Sequence, residues 1–237
     1  MHGDRSTWPL VRFGVIKDAW ALYKQHALIW SLTMLIVMAA NGVVNGALHA
    51  VLQRGEPLGP GGFRLFLPAT GAVRFIASTM VSGFFLGGMI RMAGRQIRGD
   101  APRLEDLFSI TECWFDLLLV SLLIGVATSI GFALCVVPGM IVSGLLMLAI
   151  PLVSEGRIPA TGAIIQSWQA LKGQWLTAAV FHWVLIILAA SGLLLCGIGV
   201  LVTGPLYCLS VSILYQNFFG WGALPAFKKQ SDPFPEV

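Results

Sequence analysis

Charge is what this chain has least of. Asp, Glu, Lys and Arg together make up 11% of its 237 residues, against about 25% in an average soluble domain. So few charges cannot cover a water-exposed surface of this size, which excludes an ordinary soluble fold. No long hydrophilic block is present either, so the chain reads as one membrane domain with short ends, not as an anchor carrying a soluble enzyme. A transmembrane β-barrel would alternate apolar and polar residues over about 10 positions. That alternation is missing, and the apolar runs are continuous, as in Leu117-Leu-Leu-Val-Ser-Leu-Leu-Ile-Gly125.

Catalytic signatures are absent as well. There is no G-x-S-x-G, no H-E-x-x-H and no defensible Ser/His/Asp set. The glycine-rich stretch 55–62 lacks the Gly-Lys-Ser/Thr ending of a phosphate-binding loop and reads as an outer loop. The four cysteines show no C-x-x-C spacing, so neither a zinc site nor a redox motif is indicated. Cys135 and Cys196 fall at the expected outer ends of two spans. They could pair in an oxidising compartment or serve as small hydrophobes. No metal or cofactor is expected. A cleavable leader is not expected either, because 26 mostly polar or amphipathic residues precede an apolar run longer than a leader's.

What the chain has is six apolar stretches: 27–52, 75–92, 117–137, 138–153, 176–196 and 198–219. Hydrocarbon offers no water to backbone N–H and C=O groups, so spanning segments must be helices or closed barrels, and a helix needs about 20 apolar residues to cross. The fold class is therefore all-α, a polytopic membrane protein with six transmembrane helices. Of the 15 lysines and arginines, only Arg54, Arg64 and Arg74 fall on one side of this arrangement. Cytoplasmic loops are the ones enriched in Lys and Arg, so both termini are placed in the cytoplasm. The net charge of +4 reflects that bias and an attraction to anionic lipid headgroups, not nucleic-acid binding.

Three stretches between spans carry helical amphipathic spacing. In 11–26, Phe13, Ile16, Trp20 and Tyr23 share a face; in 103–116, Leu104, Leu107, Phe108 and Thr111 do; in 159–175, Ile164, Trp168, Leu171 and Trp175 do. Such helices lie in the membrane interface. Pro9, Pro102 and Pro159 precede them, and Trp20, Trp114 and Trp168 line or close them. Two spans follow each one. The chain thus reads as three hairpins, each introduced by an interfacial amphipathic helix, with repeats at 9–99, 100–157 and 158–219. Together these form one integral membrane domain over 1–219, with a poorly ordered cytoplasmic tail at 220–237. Gly14, Ile16, Trp20 and Lys24 fall over Gly162, Ile164, Trp168 and Lys172 at one constant offset. A triplicated ancestor and chance matching of apolar sequence explain this equally well.

Several short motifs point further. They are Ala19-Trp20, Arg98-Gly99-Asp100 before 104–108, Val137-Pro138-Gly139, and Ser167-Trp168-Gln169-Ala170-Leu171-Lys172-Gly173. Gly197-Ile198-Gly199, Gly204-Pro205 and Tyr215 follow. In this order they resemble a broad group of uncharacterised bacterial inner-membrane proteins, related to the membrane domain of some glycerophosphoryl diester phosphodiesterases. The resemblance covers roughly residues 10–220. It implies a six-helix protein of the bacterial cytoplasmic membrane with unassigned activity. It carries over no catalytic residues, since the phosphodiesterase chemistry of those relatives sits in a separate soluble domain.

A few polar positions remain as candidates. Asn41 and Asn45, interleaved with Gly42 and Gly46, predict a small-residue groove packing against Gly83 and Gly87 of the second span; the competing reading is a polar solute path. His182, well inside a late span, is either a hydrogen-bonding neighbour or a proton relay. Arg91 and Arg95 are expected near Glu112 and Asp116, as ion pairs between hairpins or as solvated clusters. Pro151 and Pro205 predict kinks. The leading functional expectation is a non-enzymatic structural or accessory protein that interacts with membrane lipids, a membrane-protein partner or a second copy of itself. A small transporter or channel for a lipid-like or weakly polar solute is the alternative. An enzyme using Glu112, Asp116 and Arg91 on lipid headgroups ranks last.

Overall fold

The computed structural model describes residues 10–53, 60–156, 158–195 and 199–220. Among them all regular structure is helical. The α-helices in chain order are α1 (Val15–Gln25), α2 (Ala27–Gln53), α3 (Pro60–Ile97), α4 (Trp114–Leu134), α5 (Val136–Leu145), α6 (Ala149–Ser154), α7 (Ala160–Leu171), α8 (Trp175–Ser191) and α9 (Val200–Phe219). A 3₁₀ segment, Leu104–Glu112, joins α3 to α4, and shorter 3₁₀ turns follow α7 and α8.

Five stretches are long and apolar enough to cross a membrane: Ala27–Ala50, Ile76–Ile97, Trp114–Leu134, Val136–Ser154 and Ala160–Ser191. Neighbouring helices run antiparallel. Gly83 lies against Ser121 and Gly87 against Leu117, so α3 and α4 pass in opposite directions. Gly192 meets Gly199, and the Thr203 hydroxyl donates to the Ala189 carbonyl at 2.9 Å, which sets α8 against α9 in the same way.

The remaining long helix, α9, stands apart from those five. It carries Pro205, Tyr207, Ser210, Ser212, Tyr215, Gln216 and Asn217, and half of its residues are buried. It can be less apolar because its surroundings are protein. Leu206, Cys208 and Leu209 pack with Trp30, Val37 and Met89 in one core cluster. Val211, Leu214, Tyr215 and Phe219 pack with Val11, Leu148, Leu152 and Phe181 in the other. The helix is the wall the two clusters share.

The amphipathic segments dock differently from expectation. In α1 the buried positions are Val15, Ala19 and Tyr23, at i, i+4, i+8, while Trp20 remains 43% exposed. In α7 they are Ala160, Ala163, Ser167 and Leu171, and Trp168 is 46% exposed. Each helix therefore turns small residues, with Tyr23 in α1 and Leu171 in α7, toward the bundle and leaves its tryptophan half outside. The apolar stripe read from spacing merged these two faces.

The middle segment departs further. Spacing predicts an α-helix over 103–116, but Leu104–Glu112 is 3₁₀, and α4 starts at Trp114. A 3₁₀ turn has three residues, so i and i+3 eclipse. Leu107 and Ile110 are fully buried at that spacing, and Phe108 is 53% exposed. The segment crosses α3 at Gly88, where a Cβ would lie 2.3 Å from the Leu107 carbonyl oxygen.

The break expected at Pro151 lies a turn earlier. Helix α5 ends at Leu145 and α6 begins at Ala149. A proline removes its own N–H and clashes with the carbonyl four residues back, here Met147. That leaves Pro151 in the first turn of α6, where proline is tolerated. Pro205 lies within α9, which continues through it.

Candidate functional site

Polar chemistry gathers in two places. The first is the end of the bundle where α3 stops. Arg91, Arg95 and Arg98 lie at i, i+4 and i+7 and so share one face of a helix. Opposite them stand the 3₁₀ segment and the end of α6. Arg91 donates from Nε to the Ser154 carbonyl at 2.9 Å. It also donates from Nη1 to the Ser109 carbonyl, and from Nη2 to Cys113 Sγ at 3.7 Å. One guanidinium thus ties three elements together, using the fixed fork of donors that lysine lacks. Arg95 pairs with Asp106 Oδ1 at 2.6 Å, and the Arg103 amide donates to Asp106 Oδ2 at 3.0 Å. Arg98 pairs with Glu155 Oε2 at 3.1 Å. These groups line a polar recess of about 300 Å³.

The partners differ from those expected. Asp106, not Glu112 or Asp116, takes Arg95. Asp116 Oδ1 instead accepts the Ala160 amide at 3.2 Å. It thus satisfies an open N–H at the start of α7 and places a negative charge at the positive end of that helix. Glu112 sits exposed at the end of the 3₁₀ segment. Read as one α-helix, 103–116 puts Glu105, Asp106, Ser109 and Glu112 on its polar face; in the 3₁₀ segment Asp106 is buried while the other three stay exposed.

Glu155 is not anticipated by the sequence reading. Its side chain is 9% exposed, and its Oε1 has no hydrogen-bond partner among the described residues. Gly94 leaves room for it, since a Cβ there would lie 2.6 Å from Oε1. Burial pushes the Glu155 carboxyl above its ordinary value, opposed by the Arg98 hydrogen bond and by the charges of Arg98 and Arg91. A raised folded-state value means the folded protein binds the proton more tightly than the unfolded chain. The contribution of Glu155 to stability is therefore greatest in acid and declines as pH rises through its raised value. We expect Glu155→Gln to flatten the pH dependence of the thermal midpoint in detergent just above the ordinary carboxylate range. An unchanged slope there would show that the carboxyl titrates normally.

The second place is a cleft of about 590 Å³ bounded by α3, α4, α5 and α8. Helix α8 places His182 and Trp183 on its wall, and α4 supplies Ser121 and Thr128. His182 is buried, with its ring edge-on to Tyr207 of α9 at 6.0 Å. The Trp183 ring meets Phe132 edge-on at 6.0 Å. Three buried polar atoms of lining residues have no partner among the described residues: Thr128 Oγ1, His182 Nδ1 and Trp183 Nε1. Two serines of the wall are different. Ser121 donates to the Leu117 carbonyl at 2.7 Å, and Ser143 to the Met140 carbonyl at 2.9 Å.

Asn41 reaches this cleft through Ser82, which lines it and donates to Asn41 Oδ1 at 3.2 Å. Asn41 and Asn45 otherwise donate to carbonyls of their own helix, those of Val37 and Asn41. The glycine groove expected between the first two spans is not built. Among the described residues, added Cβ atoms at Gly42 and Gly46 would meet nothing within 4 Å, while Gly83 and Gly87 pack on α4. Cys135 is exposed; its suggested partner, Cys196, lies outside the described residues.

Sequence reasoning also missed a clasp between α1, α2 and α3. Trp30 Nε1 donates to Gln96 Oε1 at 2.7 Å, and Gln96 Nε2 donates to the Leu22 carbonyl at 2.6 Å. A lone glutamine at the end of an apolar run was the only available sign.

Five helical stretches able to cross a bilayer, with the ion pairs of the described residues gathered at one end, define a chain of the multi-pass helical membrane class. Comparison with protein-family models, with curated proteins and with solved structures found no match.

Proposed function

We propose that this is a non-catalytic, lipid-interacting protein of the bacterial cytoplasmic membrane. Its six passes count α9 with the five apolar stretches, and both ends of the chain lie in the cytoplasm. Three collar segments (α1, the 3₁₀ segment and α7) lie at the interface on the cytoplasmic side. The observation that carries this reading is where the polar groups go. Arg91, Arg95 and Asp106 fasten the 3₁₀ segment and the end of α6 to α3, and Asp116 fastens the start of α7 to α4, while Trp20, Phe108 and Trp168 remain half-exposed around them. Buried polar groups at membrane depth mark function by default; here the charged groups act as fastenings, while indole rings half out of the bundle match headgroup level. The resemblance to the membrane domain of phosphodiesterase-linked proteins implies a six-helix membrane protein and adds no reaction.

The test is native mass spectrometry of the protein released from a mild detergent. Phospholipid retained at a defined stoichiometry is the expected result. Bare protein, or hydrolysis of added phospholipid headgroups by the pure protein, would overturn the proposal. Passage of a weakly polar solute is a second reading, favoured by the cleft beside His182.

A further inference from the structure

We propose that the cleft between α3, α4, α5 and α8 is a binding site for an uncharged amphiphile. A hydroxyl or ester carbonyl would be held by Thr128, His182 and Trp183, and a hydrocarbon chain would lie against the apolar wall. This goes beyond the collar reading and does not depend on it.

Four observations converge. The cleft measures about 590 Å³, within the range of small-molecule sites. None of its lining residues is Asp, Glu, Lys or Arg, so nothing there would neutralise a charged ligand, and a bare charge is strongly disfavoured in a low-dielectric setting. Ser82, Ser121 and Ser143 of the wall already donate to protein acceptors, and their remaining lone pairs can accept from a hydroxyl. The Thr128 hydroxyl, the Trp183 N–H and the His182 Nδ1 have no partner among the described residues, although buried polar groups in native proteins are nearly always paired. An indole N–H donates only, a hydroxyl does both, and neutral imidazole donates from one nitrogen and accepts at the other. One alcohol or ester group can satisfy that combination; an alkane cannot. Ile124, Phe132 and Ile186 supply the apolar part of the wall.

The experiment uses the full chain reconstituted in phosphatidylcholine vesicles with a photoactivatable long-chain monoacylglycerol as probe. Adducts are mapped by peptide mass spectrometry. We expect saturable labelling concentrated on α4 and α8 and competed by unlabelled monoacylglycerol. In Trp183→Phe and Thr128→Val, each of which removes a donor while keeping most of the shape, half-saturation should shift about tenfold. His182→Ala should shift it at least as far, but this variant can fail by misfolding, so the two conservative variants decide. Labelling spread evenly over the outward helix faces and never saturating would overturn the proposal, as would half-saturation unchanged in both conservative variants. Competition by a long-chain phosphate monoester but not by the monoacylglycerol would overturn the assignment to an uncharged group. Loss of retained phospholipid bears only on the collar reading, so the two can fail separately.

Discussion

Replacing Trp30 by alanine should lower the stability of the bundle by about 3–5 kcal/mol, the usual cost of emptying a large aromatic site in a core. Trp30 is fully buried, and its indole N–H occupies Gln96 Oε1. Trp30→Phe separates the two contributions. It keeps most of the packing but leaves the Gln96 oxygen without its donor, which costs about 1–3 kcal/mol for a buried acceptor. Gln96→Leu should show a loss of similar size, because the Leu22 carbonyl then loses its donor. The two changes combined should fall short of additivity, since they break one network. Unfolding titrations in mixed micelles would measure all of them. If Trp30→Phe stays within about 0.5 kcal/mol of the parent, in the range of an ordinary surface change, the clasp contributes nothing beyond packing.

Glycine substitutions should divide sharply by position. At Gly144 an added Cβ would lie 2.5 Å from the Ala179 Cα, which is backbone and cannot swing away. Gly144→Ala should therefore destabilise by about 1–3 kcal/mol, as overpacking does, and Gly144→Val by more. At Gly42 nothing among the described residues stands within 4 Å of an added Cβ, so Gly42→Ala should be neutral or stabilise by about 0.5–1 kcal/mol through its better helix propensity. The same unfolding titration decides it. A cost at Gly42 comparable to that at Gly144 would mean a neighbour packs on the outer face of α2.

That contrast marks what was legible beforehand. The apolar runs located α2, α4, α8 and α9 to within a few residues, because length and hydropathy answer to the bilayer alone. Which glycines matter was not legible. Gly42 and Gly46 have the same spacing as Gly83 and Gly87, yet only the second pair meets a neighbour. Contact depends on how a helix is rotated in the bundle, and spacing within one helix carries no record of that. Which face of each collar segment is buried was not legible for a related reason. Spacing identifies an apolar stripe but not which part faces protein, and Ala19 and Ala163, which face it, are too small to stand out.

The candidate polar residues show the same limit. Arg91 and Arg95 stand at the end of α3, and Asn41 and His182 both border the cleft, Asn41 by way of Ser82. The partners of the arginines were missed because a 3₁₀ turn has a different period from an α-helix. A change from 3.6 to 3.0 residues per turn shifts a polar position by about 60° within three residues. Glu155 gave no sign at all, since a carboxylate beside a basic residue at the end of an apolar run resembles any solvated loop.

The place of α9 has a consequence for the order of assembly. The helices it packs against all precede it in the chain: α1, α2, α3, α6 and α8. During synthesis those helices can enter the membrane one after another, but the groove they form stays open until 200–219 arrive. Val11 and Val15 share a core cluster with Tyr215 and Phe219, a contact between the two ends of the described chain. Contacts so distant in sequence form late. Until then the earlier helices present an unfilled, partly polar seam, which the arrival of α9 closes.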